Sequence, residues 1–142
     1  MANQNPQPTM LSARFDIAAG ALASGSTFTK TILTQQAYNE LIYVYGVQVQ
    51  ILKDDGNETL VATSDTDWAL QITSGPNSVP TNNFSARYIY ERQDKTLPFS
   101  SPVVVTHRQP LQVHLERADN ANISAGGITV IVNLIGELLT MA

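Results

Sequence analysis

Apolar residues along this chain recur in short runs with a period of two, the spacing of a half-buried β-strand rather than of a helix. Phe15 and Ile17 alternate with Arg14, Asp16 and Ala18. Thr27–Thr34 is rich in β-branched residues. Within Leu41–Leu52, Val47, Val49 and Ile51 alternate with Gln48 and Gln50, whereas Leu41–Tyr45 is apolar on both faces. Gly46 stands where the character changes, which predicts a bulge or a bend. Continued backward, this alternation puts Ile42 and Val44 on an outer face that needs cover. Asp54-Asp55-Gly56-Asn57 is a turn, Thr59–Thr63 returns as a strand, and Ser64–Asp67 turns again. Trp68, Leu70 and Ile72 alternate with Ala69 and Gln71.

Ser74–Asn83, with Pro76, Pro80, Asn82 and Asn83, reads as a long loop, and Ser85–Glu91 as a strand carrying Tyr88 and Tyr90 on one face. Leu97-Pro98-Phe99 and Val103–Val105 are Pro-bounded apolar segments. Leu111, Val113 and Leu115 point inward while Gln112, His114 and Glu116 point outward. Ile128–Leu139 closes the pattern, with Ile131 and Ile135 opposite Val130, Val132 and Leu134, and with Gly136 interrupting it. The succession predicts an all-β chain of eight or nine strands in an antiparallel β-sandwich or barrel, with no helix of any length.

Residues 1–12 form an extended N-terminal arm in this reading, and 13–142 a single domain. Asn, Gln and Pro dominate the arm, and Pro6 and Pro8 favour extended backbone. Two states suit such a segment: a disordered tail, or a strap ordered against a neighbouring subunit.

Composition narrows the function classes. Charged residues make up 14% of the 142 residues, against roughly 25% in an average soluble domain. Uncharged polar groups, which cost less to desolvate, take their place. Net charge is −4, and the eight Lys and Arg residues are scattered. Nucleic-acid binding, which needs clustered cations for counterion release, is therefore not expected. Cysteine is absent, which excludes disulfides, thiolate zinc sites and a nucleophilic thiol. No apolar run approaches the ~20 residues of a membrane-spanning helix, and Met1–Thr9 lacks the basic and apolar regions of a signal peptide.

Candidate chemistry is sparse. Asp54, Asp55, Asn57, Glu58, Asp65 and Asp67 flank two turns, but at opposite ends of one strand and without an EF-hand spacing, so hairpin-turn chemistry accounts for them as well as calcium does. His107 and His114 fit no metal-ligand pattern. No Gly-x-Ser-x-Gly or phosphate-binding loop is present. Trp68 with the tyrosines suits either a sugar-stacking platform or a core and interface. Neither cofactor nor metal is expected, and no catalytic residue is assigned.

The Gln- and Pro-rich segment Asn3–Pro8, the Leu41–Leu52 strand with its acidic hairpin, and the run from Leu97-Pro98-Phe99 through Leu111–Leu115 to Ile128–Leu139 together resemble the jelly-roll modules of bacteriophage virion proteins. That resemblance implies a jelly-roll β-sandwich acting by binding. Its expected roles are capsid decoration (cement), capsid subunit, or a tail, spike or collar component, with the capsid exterior as the expected location. Its expected partners are the major capsid protein and copies of itself, as dimer or trimer, with no nucleic acid, membrane or small-molecule ligand. The contact residues expected are Gln4, Pro6, Pro8 and Met10 in the strap, and Ile42, Val44, Ile131 and Ile135 on the two-faced strands. The alternative is a carbohydrate- or receptor-binding sandwich of a phage tail or fibre, with Trp68 and the Ser74–Asn83 loop as its site.

Overall fold

A computed structural model describes residues 6–32, 37–53, 63–74, 77–106, 109–118, 120–123 and 126–140. Over these residues it is an antiparallel β-sandwich of eight strands: β1 (Gln7–Ile17), β2 (Thr27–Ile32), β3 (Glu40–Lys53), β4 (Trp68–Ser74), β5 (Asn77–Ser85), β6 (Thr96–Val105), β7 (Leu111–Arg117) and β8 (Ile128–Thr140). One sheet has the order β1-β8-β3-β6 and the other β2-β7-β4-β5. The pairing is nested: β1 joins β8, β2 joins β7, β3 joins β6 and β4 joins β5. Only β4 and β5 follow one another within a sheet; every other connection crosses from one sheet to the other.

The core forms where the inward residues of both sheets meet. Phe15, Val132, Leu134, Val47 and Val49 come from the first sheet, and Trp68, Leu70, Ile72, Val113 and Leu115 from the second. Period-two alternation is clean in β4 and β7, where every second residue is buried. Each fully buried Leu, Ile or Val contributes about 1.5–3 kcal/mol relative to exposure, so these strands are fixed in register by their apolar faces.

Trp68 closes one end of the core. Its indole Nε1 donates to the Asp65 carbonyl (2.8 Å) in a 3-10 turn at Thr63–Thr66. Its ring meets Phe28 edge-on at 5.9 Å. Above it lies the Arg117 guanidinium, 5.0 Å from the ring. Arg117 is 1% exposed, and it donates to the carbonyls of Ala121 (3.0 Å) and Asp67 (3.4 Å). A cation held by carbonyl oxygens and an indole face seals the end of the sandwich.

Four segments differ from the sequence-based expectations. Residues 7–12 of the expected arm are the first half of β1, paired with β8 of the same chain from Gln7–Leu138 to Ser12–Asn133. Ser74–Asn83 contributes most of β5, because β4 supplies a partner that offsets the turn-forming Asn and Pro residues. Ser85–Glu91 is not a strand: Ala86–Tyr90 is a short α-helix, α1, capped by the Ser85 hydroxyl, which accepts from the Tyr88 amide. Ala86 and Ile89, three apart, are its buried pair. Leu97-Pro98-Phe99 and Val103–Val105 belong to one strand, β6. The expected Thr59–Thr63 strand and the Asp54–Asn57 turn lie outside the described residues, apart from Thr63 in the 3-10 turn.

Candidate interaction surface

The bend expected at Gly46 is a β-bulge. Register shifts between Val44 and Gly46 against both neighbours: against β8, where their partners Gly136 and Ile135 are adjacent, Tyr45 is the extra residue, whereas against β6 their partners Val103 and Pro98 are five apart and the additional residues lie on β6. An extra residue inverts the side-chain phase of everything beyond it. Inward positions are therefore even-numbered before the bulge (Ile42, Val44) and odd-numbered after it (Val47, Val49, Ile51). Ile42 and Val44 are buried at 5% and 0%, which overturns their expected place on the outer face. That face instead carries Leu41, Tyr43 and the exposed Tyr45.

Outward residues of the first sheet line up in rungs across β1, β8 and β3. One rung joins Met10 to Ile135 and Gly46, the next Ser12 to Asn133 and Gln48, and the next Arg14 to Ile131 and Gln50. Ile131 and Ile135 thus occupy the outer face as expected, both half-buried. Met10 is 57% exposed beside Ile135. Pro8 is exposed opposite Glu137, Pro6 is exposed just ahead of β1, and Gln4 lies outside the described residues.

The middle rung is polar and satisfied within the chain. Ser12 Oγ donates to Asn133 Oδ1 (2.6 Å), and Asn133 Nδ2 donates to Gln48 Oε1 (3.0 Å). At one end, Arg14 Nε and Thr129 Oγ1 both donate to Asp16 Oδ1 at 3.1 Å. The Arg14 hydrogen bond, then that from Thr129, hold the Asp16 carboxyl below its ordinary pKa. Sequence reading missed this rung, since Ser12, Asn133 and Gln48 are far apart in the chain and only the register aligns them. Tyr43 and Tyr45 were missed for a different reason, the bulge.

The outer face of the second sheet has the opposite character. Thr27, Thr29 and Thr31 of β2 stand beside Gln112, His114 and Glu116 of β7, with Ala69, Gln71 and Thr73 of β4 beyond. His114 bridges three strands, its Nδ1 3.0 Å from Thr29 Oγ1 and its Nε2 3.1 Å from Thr73 Oγ1. Around it lies a shallow groove of about 250 Å³. His107 lies outside the described residues.

Other candidates are absorbed by the fold. Trp68 is 1% exposed and offers no stacking platform. Asp65 is buried, and Asp67 forms a salt bridge with Arg87. Asp54, Asp55, Asn57 and Glu58 lie outside the described residues. Among the described residues, no group of three or more His, Asp or Glu side chains is placed to hold a metal ion, and no helix is long and apolar enough to cross a membrane.

No protein-family model matches the chain. Neither a curated protein nor a solved structure matches it.

Proposed function

We propose that the sandwich is a jelly roll, and that the chain is a non-enzymatic structural protein of a bacteriophage particle. In this reading it is a decoration or cement protein on the capsid exterior, acting by association with coat subunits and with copies of itself. The observation that carries the reading is the nested pairing of β1 with β8, β2 with β7, β3 with β6 and β4 with β5. A double-sheet jelly roll, the architecture of many viral capsid and lectin domains, has this pairing. Supporting it is the unequal finish of the two outer faces, one apolar in part and the other mainly polar across β2, β7 and β4. The space between the sheets is filled by apolar side chains, so the chain's chemistry faces outward.

Cosedimentation of the purified chain with capsids tests the proposal. Saturable binding supports it, and absence of binding to any particle of the source phage sinks it. The second reading, a carbohydrate-binding sandwich, draws on the polar groove around His114, which offers hydroxyl, amide and carboxylate partners. Its former anchor, Trp68, is in the core. A glycan array separates the two, since a cement protein binds no sugar.

A further inference from the structure

We infer that the outer face of the β1-β8-β3-β6 sheet is where a second copy of this chain packs, sheet face against sheet face. The inference extends the reading that the chain acts by association, and adds which surface does so and with what.

Four observations carry it. The first is area. Strands of 11, 13, 14 and 10 residues make up the sheet. At ~3.3 Å per residue and ~4.8 Å between strands the face covers roughly 750 Å², close to the ~800 Å² per partner of a standard stable interface. The second is finish. Met10, Tyr43, Tyr45, Ile131, Ile135 and Leu139 all lie on this face, half-buried or exposed, whereas strands β2, β7 and β4 of the opposite sheet present Thr, Gln, His and Glu with one Ala.

The third observation is polar satisfaction. Three of the polar side chains a partner would cover, Ser12, Asn133 and Gln48, already bond to one another. Covering them leaves few donors unpaired, which is the usual penalty for burying polar groups. Charge fits as well: the charged residues on the outward rungs are Arg14 and Asp16, which pair with each other, and Glu137. A face nearly neutral in itself can meet its own copy without like-charge repulsion, as a two-fold contact demands.

The fourth is what the edges forbid. Pro8 sits on edge strand β1, and Pro98 and Pro102 on edge strand β6. Proline lacks the amide that a neighbouring strand would need, so this sheet is blunted against growth through its edges. Association through the sheet therefore falls to its face.

Sedimentation velocity of the full chain over a concentration series is the test, with far-UV circular dichroism to confirm folding. Wild type should be a dimer. Ile135→Lys should shift it to monomer by placing a charge in the contact, while Gln112→Lys on the opposite sheet should leave the dimer intact. Cross-linking is the second measurement, clean because the chain has no cysteine. Ile131→Cys should form a disulfide-linked dimer under mild oxidation, and Gln112→Cys should not. A wild type that stays monomeric up to its solubility limit overturns the inference, as does a dimer that survives in folded Ile135→Lys or that cross-links through Gln112→Cys alone. The capsid reading fails separately: a dimer that binds no capsid removes that reading and keeps this one, and a monomer that binds capsids does the reverse.

Discussion

The carbonyl oxygen of Tyr43 occupies the space that a β-carbon on Gly136 would need. The contact comes from the bulge at Tyr45, which brings β3 backbone close to β8 beside Val44–Gly136. Backbone cannot move aside as a flexible side-chain tip can. Gly136→Ala should therefore destabilise the fold by about 1–3 kcal/mol, the usual cost of overpacking. Urea denaturation checks this: the midpoint should fall with the slope unchanged.

The bulge also makes one deletion tolerable. With Tyr45 removed, Ile42, Val44, Val47, Val49 and Ile51 fall on a single uninterrupted period of two, all inward. Deletion of Gln48, by contrast, turns Val49 and Ile51 to the outer face. The Tyr45 deletion should give a folded protein with a cooperative thermal transition, and the Gln48 deletion a chain without one. Circular dichroism during heating distinguishes them.

Residues 7–12 belong to the sheet, which changes what truncation does. Removing residues 1–6 should leave the melting temperature nearly unchanged, since the first rung is Gln7–Leu138. Removing residues 1–12 strips the partner strand from Leu134 and Leu138, deletes Leu11 and leaves Asn133 without Ser12. A fully buried leucine is worth about 2 kcal/mol, and the half-buried Leu11 contributes a part of that. Differential scanning calorimetry should show a clear drop.

Arg117 is held through both terminal nitrogens and stacked on Trp68. Replacement by Met removes the hydrogen bonds to the Ala121 and Asp67 carbonyls, and should cost about 1–3 kcal/mol. Arg117→Lys should be nearly as damaging, because an ammonium cannot reproduce the planar fork. Chemical denaturation followed by Trp68 fluorescence measures both variants.

Asp16 sets a pH dependence whose sign follows from its lowered pKa. The folded state gives up this proton more readily than the unfolded one, so stability rises with pH across the window. The contribution is present above the unfolded carboxylate value of about 3.9 and is lost as pH falls through the lower folded value. Asp16→Asn should lower stability slightly at neutral pH and converge with wild type at low pH, which flattens the acid limb of a stability–pH profile. The effect is modest, since the side chain is 66% exposed.

How much of this was legible in the sequence depends on what each segment takes its order from. Strands β4, β7 and β8 announce themselves because one face is core, and burial writes a period of two into the residues. Helix α1 has five residues, too few for a helical period to show, and its alternating Tyr88 and Tyr90 imitate a strand. Strand β5 is hidden for the opposite reason. Its Asn and Pro residues favour turns locally, and only the neighbouring β4 makes it extended. The sandwich was therefore readable, and the alternation in Ile128–Leu139 placed Ile131 and Ile135 on the outer face correctly. Ile42 and Val44 were misplaced because a single glycine suggests a bulge without saying which neighbour is extra. The Ser12–Asn133–Gln48 rung depends on register between distant strands, and no local pattern encodes that.

The nested pairing has a consequence for how the molecule is made. Partners lie ever farther apart in the chain from β4–β5 outward to β1–β8. Synthesis runs from the N-terminus, so among the eight strands of the sandwich β1 leaves the ribosome first and its partner last. The apolar face of β1, with Phe15 and Ile17, must then wait unpaired through the translation of nearly the whole domain. Closing that longest loop waits for β8, and it makes the sandwich a slow-folding topology. The polar residues and Pro8 of β1 stand guard during that wait, when an exposed strand is most open to pairing with the wrong chain.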